Sequence, residues 1–349
     1  MATAWFLLLG FMLLMYVLLD GFDLGAGIVH LFVARSDEER ALVLRAIGPV
    51  WDANEVWLIA SGGLLVFAFP RVYAAAFSGF YLPLMMVLWL LVLRGISIGM
   101  RSHQANPLWR QFFDAVFALA SALLAFVLGA ALGNVVRGVP LDASGFFSGP
   151  LFRSFSPFGD LGVLDWYTVS VGLFALAALA GHGAMYLRWK TPGEVNARST
   201  RIARRAWIVV VMLSIVVTIE TAFVRSELFS NFASRPGLWI LPVIAIVALV
   251  IVFLSLARGW ERAGFLASAL MIASFLGLTA GALYPLVLPS TIDPRFSLDV
   301  ANGANDDYSL AIGLAWWIPA IALAIGYFTY LFRSFRGKVA QGGYDGLSH

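Results

Sequence analysis

The sequence predicts an all-α, polytopic membrane protein of about nine transmembrane helices, and three observations lead there. Of 349 residues, 61% are hydrophobic and only 12% charged, with a mean hydropathy of +0.87, whereas soluble domains carry about a quarter charged residues. Nine apolar runs come near or exceed the roughly 20 residues a helix needs to cross a bilayer. Lysines and arginines collect in alternate loops between those runs.

In chain order the expected spans are 4–33, 52–70, 76–99, 111–136, 162–188, 204–224, 236–257, 262–288 and 308–332. The first follows "MATAWFLLLG", which lacks a basic leader region and a cleavage site, so it reads as a retained helix. The second opens on polar residues. Several others exceed the minimum length and should tilt or protrude. Two connecting loops, 137–161 and 289–307, are long and rich in Pro, Gly, Ser and Asp, as turns outside hydrocarbon are. "LRWKTPGEVNARSTRIARR" separates spans 5 and 6. The single integral domain 1–349 would then divide into halves 1–136 and 162–288, with 308–332 as an extra helix. The halves share no sequence repeat.

Of the 23 basic residues, 17 fall on the side shared by the loops after spans 1, 3, 5, 7 and 9, and 6 on the other. The positive-inside rule puts the N-terminus outside and the C-terminus in the cytoplasm. A pI near 9.3 could suggest nucleic acid, but the net charge is only +3, so the basic loops read as topology signals. The absence of cysteine excludes disulfides, thiolate metal sites, iron–sulfur clusters and cysteine nucleophiles.

"LLDGFDLGAGIVH" (18–30) puts Asp20 and Asp23 inside the first span. Centring one charge in a bilayer helix costs about 2.5–3.5 kcal/mol. The cost falls if both carboxyls are neutral or line a hydrated seam. Asp23 lies about 27 Å along the helix from Trp5, towards the cytoplasmic boundary. As i, i+3 neighbours the two acids can face one partner, and Gly21 and Gly25 allow a second helix to come close.

"GPVWDANEVWL" (48–58) adds Asp52, Asn54 and Glu55 at the cytoplasmic mouth of span 2. Asp52 followed by Glu55 also matches a capping box, a local role that does not exclude another. "GMRSHQANPLWRQFFDAV" (99–116) adds Arg101, Arg110 and Asp114; loop charge and an acid facing a helix N-terminus would explain these equally. Asp20, Asp23, Asp52, Glu55 and Asp114 with Arg101 can form one cluster open to the cytoplasm. Such a cluster suits proton uptake; a salt-bridged helix contact fits the same residues.

Four histidines are present. His103 is in a loop, His349 is terminal, and His30 and His182 lie in spans, where packing or hydrogen bonding is the usual role. The run "YLPLMMVLWL" reads as apolar helix rather than haem-ligating methionines. Glu220 and Arg225 suggest an interfacial ion pair, and Trp316 and Trp317 suggest packing or lipid contact. No Walker loop, dinucleotide fingerprint, H-E-x-x-H or nucleophile elbow occurs.

The chain resembles the subunit II family of bacterial cytochrome bd-type quinol oxidases. The resemblance rests on "DGFDLGAG" (20–27), "GPVWDANEVWL" (48–58), "FPRVYAAAFSGFYLPL" (69–84), "RGVP" (137–140) and "ALYPLVLPST" (282–291), in the family's order. One departure is local: Ala53 stands where the family motif carries glycine. The resemblance implies a heterodimer with subunit I, which binds two b-type haems and one d-type haem and oxidises quinol. It leaves room for a small single-helix subunit and for membrane lipids, and implies no nucleic acid. Oxygen would be reduced to water with protons from the cytoplasm, making the reaction electrogenic across a bacterial cytoplasmic membrane. This chain would ligate no haem or metal and supply no redox catalyst; it would support the complex and a proton route. By position, Asp23 and Asp52 are the first candidates for proton transfer, Arg101 and Asp114 match polar positions of the same region, and Asp20 and Glu55 are their neighbours. The competing readings are a proton-coupled secondary transporter, which would need discontinuous helices at a repeat interface, and a scaffold whose acids only join helices.

Overall fold

The computed structural model describes residues 1–339 and is almost entirely helical. His349 and the C-terminus lie outside the described residues. Eight helices among the described residues are long and apolar enough to cross a membrane. They are α1 (Ala2–Val33), α5 (Tyr81–Met100, continued by a 3-10 turn to His103), α6 (Pro107–Arg137), α7 (Trp166–Lys190), α8 (Gly193–Val224), α10 (Ile240–Arg258, preceded by a 3-10 turn from Pro236), α11 (Glu261–Leu283) and α12 (Asp307–Ser334). The remaining expected span is α3 (Trp51–Ala68), only 18 residues long and opened by Asp52, Asn54 and Glu55.

Element ends differ from the expected spans for local reasons. Run 76–99 is interrupted at Phe80, so α4 (Pro70–Gly79), with proline at its first position where no N–H is needed, precedes α5. Run 162–188 starts later, because Asp165 and Thr168 form a capping box that fixes the start of α7 at Trp166. The helix at 204–224 begins 11 residues earlier, at Gly193. Run 262–288 stops at Leu283, and Leu286–Leu288 instead forms β1, antiparallel to β2 (Leu298–Asp299). The short α9 (Glu227–Ala233) joins α8 to α10.

Besides α9, one longer helix lies outside the expected spans. Between α1 and α3, α2 (Asp37–Ile47) starts on a capping box: the Glu39 N–H donates to Ser36 Oγ (3.3 Å) and the Ser36 N–H to Glu39 Oε2 (3.2 Å). The capping box expected at Asp52 and Glu55 is absent; Val50 precedes α3 and no side chain caps it.

The core gathers around α1, which packs on α3, α6 and α7. Its crossing with α7 sits at Gly25 and Gly183, where a Cβ on Gly25 would come within 2.7 Å of the Gly183 backbone nitrogen. Only glycine lets these backbones meet. α12 is peripheral, burying only Leu310 and Leu331. At the less basic end the two long loops are joined through Val139, whose N–H donates to the Pro289 carbonyl (3.0 Å) and whose carbonyl accepts from Thr291 (2.8 Å). There Arg137 pairs with Asp165 and donates to the Gly162 carbonyl (3.2 Å).

Candidate functional site

The sequence-predicted acids form two groups along α1, not one. In the first, Asp20, Asp23 and Arg94 are all fully buried. Arg94, from α5, grips Asp20 with both terminal nitrogens, one at 2.8 Å from Oδ2. Such a bidentate pair is held by geometry as well as charge. Asp23 has no cation of its own. Its Oδ2 accepts from Asn54 Nδ2 (2.7 Å), which also reaches the Leu19 carbonyl (3.3 Å), while Oδ1 is buried without a partner. Nearby buried atoms without partners include the Tyr16 hydroxyl, one turn before Asp20, and Arg94 Nε.

α3 extends this group towards the basic face. Glu55 is half-buried and feels the charges of Arg94, Asp20 and Asp52. Asp52, three residues earlier on the same face, is exposed at the helix start. Asp52, Glu55 and Asp23 are thus exposed, half-buried and fully buried in turn, with Asp20 neutralised by Arg94 alongside.

The second group lies about 10 Å further along α1, at the helical rise from Asp23 to His30. Asp114 accepts from His30 Nε2 (2.8 Å), from Arg101 Nε (2.6 Å) and Nη2 (3.2 Å), and from Arg40 Nη1 (3.3 Å). Arg101 also donates to Asp37 (2.6 Å), as does Arg110 (2.5 Å). These bonds tie α1, α2 and α6 to the turn after α5. Asp114 is saturated by basic partners, and Leu24, Ala26 and Val29 pack α1 between the two groups. The expectation of a single crevice containing Asp114 and Arg101 with the other acids is therefore corrected.

Three functional partners escaped sequence reasoning. Arg94, in the sequence only one of the 17 basic residues of the more basic side, is the buried counter-ion of Asp20; a guanidinium inside the apolar run 76–99 was the available signal. His30 is the partner of Asp114, 84 residues away. The third is α2, which Ser36 and Glu39 announce as a capping-box pattern.

The other candidates take local roles. His182 has both ring nitrogens engaged, Nδ1 with Ser268 Oγ (2.7 Å) and Nε2 with the Leu18 carbonyl (3.1 Å), and stacks on Phe265. His30 gives Nε2 to Asp114. Its buried Nδ1 has no hydrogen-bond partner. Among the described residues no three His, Asp or Glu side chains converge as a metal site. Glu220 accepts from Ser170 Oγ (3.0 Å), while Arg225 turns to the Val136 carbonyl (3.3 Å) and Glu227 (4.0 Å), so the expected Glu220–Arg225 pair does not form.

Comparison with known proteins gives one consistent result. Residues 1–335 match the family described as cytochrome bd terminal oxidase subunit II. The chain is 31% identical to the cytochrome bd-I ubiquinol oxidase subunit 2 of Escherichia coli K12, over 92% of this chain and 90% of that one. It is 28% identical to the cytochrome bd ubiquinol oxidase subunit 2 of Bacillus subtilis 168, over 97% and 96%. Its fold is similar to a chain in the structure of bd oxidase from Geobacillus thermodenitrificans, with a TM-score of 0.74 at 19% identity, covering 96% of this chain and 98% of that chain.

Proposed function

Because the chain belongs to the subunit II family of cytochrome bd terminal oxidases, we propose that it is the non-haem partner of a quinol-oxidising subunit I and feeds protons to oxygen reduction. The reaction 4e⁻ + 4H⁺ + O₂ → 2H₂O draws its electrons from quinol in the partner. Two b-type haems and one d-type haem belong to that partner, and the family leaves room for a small single-helix subunit and membrane lipids. Protons enter from the basic face, which the positive-inside rule makes cytoplasmic, with the N-terminus outside.

The observation that carries the reading is the state of Asp23. It is fully buried, its Oδ1 has no partner, and no cation is bound to it. A carboxyl of this kind can take a proton and give it up without first breaking an ion pair. Asp52 and Glu55 supply the approach from solvent. Asp20 does different work: clamped by Arg94, it holds α5 against α1. Asp114 and Arg101 hold the α2 side of the mouth in place.

Substitution in the assembled complex tests this. Asp23→Asn is expected to lower steady oxygen consumption at least tenfold with haem content and subunit stoichiometry unchanged, and Asp52→Asn to lower it less, because solvent can bypass an exposed donor. Wild-type turnover in both variants would refute the proton route and leave only the supporting role.

A further inference from the structure

We propose that the basic end of α8 is a binding site for an anionic phospholipid. α8 has 32 residues, about 48 Å of helix, against about 30 Å of hydrocarbon. Starting from its far end at Val224, roughly 20 residues fill the bilayer, so the membrane surface falls at residues 204–205. Arg201, Arg204 and Arg205 sit at that level and are all exposed.

The same face continues into the membrane. Arg201 is followed at helical spacing by Ile208, Met212 and Ile215, each exposed. One stripe thus presents three guanidinium groups and then a run of bare apolar side chains, the shape and polarity of a diacyl phospholipid with a charged headgroup. The buried face of the same helix is occupied differently: Arg198 pairs with Glu39 of α2, and Trp207 is fully buried.

Charge complementarity selects the occupant. Arg201, Arg204 and Arg205 have no carboxylate partner among the described residues. The nearer of the two acids on α8, Glu194, is seven residues before Arg201, about 10 Å further into solvent. The other, Glu220, lies four residues from the opposite end of the helix and accepts from Ser170. Three guanidinium groups within one helical turn suit a phosphate that keeps its net charge, and a zwitterionic headgroup would bring its own cation against them. The site holds for either orientation of the chain, because it needs only that this end meet a membrane surface.

Native mass spectrometry of the assembled complex, titrated separately with phosphatidylglycerol and phosphatidylcholine, tests the assignment. In Arg201→Gln/Arg204→Gln/Arg205→Gln, affinity for phosphatidylglycerol is expected to fall at least fivefold, while phosphatidylcholine binding stays within twofold of wild type. The triple lysine variant, which keeps the charge, should retain phosphatidylglycerol. Wild-type phosphatidylglycerol affinity in the glutamine variant would overturn the proposal. So would equal loss of both lipids, which would mean an uncharged packing groove. Failure of the glutamine variant alone to join its partner subunits would give this face to a protein and overturn it as well.

Discussion

Asp20 and Asp23 sit three residues apart on one helix, yet their surroundings divide their work. Asp20 meets a guanidinium in the buried interior and becomes half of an ion pair; Asp23 meets only the amide of Asn54. A buried pair resists loss of one member more than loss of both, since the survivor is left charged without a partner. Arg94→Gln is accordingly expected to destabilise the assembled complex by about 3–5 kcal/mol, read as a lowered thermal unfolding midpoint. Adding Asp20→Asn should restore a good part of that loss, and a double variant worse than the single one would contradict the pairing. None of this specific pairing was legible in the sequence. The two aspartates stood out because carboxylates in an apolar run are rare, but Arg94 lies six residues from its helix end and 74 from Asp20, so it read as a boundary charge.

At the scale of elements, two features decide how the helices meet. The first is the α1–α7 crossing, where Gly25 and Gly183 leave no room for a side chain. Gly25→Leu is expected to abolish recovery of assembled complex, whereas Gly10→Leu on the same helix, where nothing lies within 4 Å of a new Cβ, should assemble normally. The glycine pattern was visible in the sequence; its partner helix was not, because small-residue spacing names a close approach without naming what approaches. The second feature is α2. Burial pushes the Glu39 carboxyl up, but the N–H groups of Arg35 and Ser36 and the Arg198 guanidinium outweigh it and hold Glu39 below the usual glutamate range. A depressed folded-state value means that the α2 contact contributes stability above the unfolded glutamate value of about 4.3. That contribution is lost as pH falls through the lower folded value. The protection factors of the α2 amides, exchange rates taken relative to the intrinsic rate at each pH, should therefore fall on acidification below about pH 4.3. In Glu39→Gln they should be low at neutral pH already and respond much less to acid. Identical profiles for the two proteins would contradict the latch.

For the whole molecule, the sequence carried the fold class well because a bilayer allows few solutions: apolar helices of fixed minimum length, with basic residues in alternate loops. It carried the site less completely. Residues close in sequence, such as Asp20 with Asp23 and Asp52 with Glu55, could be grouped by helical spacing. The separation of Asp114 and Arg101 from them depends on how α6 and the turn after α5 dock on α1, which no local pattern specifies. The proposed route would rise from exposed Asp52 past Glu55 to buried Asp23, with an ion-paired clasp around Asp114 further along α1. The most direct test is charge movement. With the oxidase complex in proteoliposomes, the voltage generated during a single round of oxygen reduction should fall sharply in Asp23→Asn, with haem spectra and oxygen binding as in wild type. An Asp23→Asn complex that builds the wild-type voltage at the wild-type rate would show that protons reach oxygen by another path.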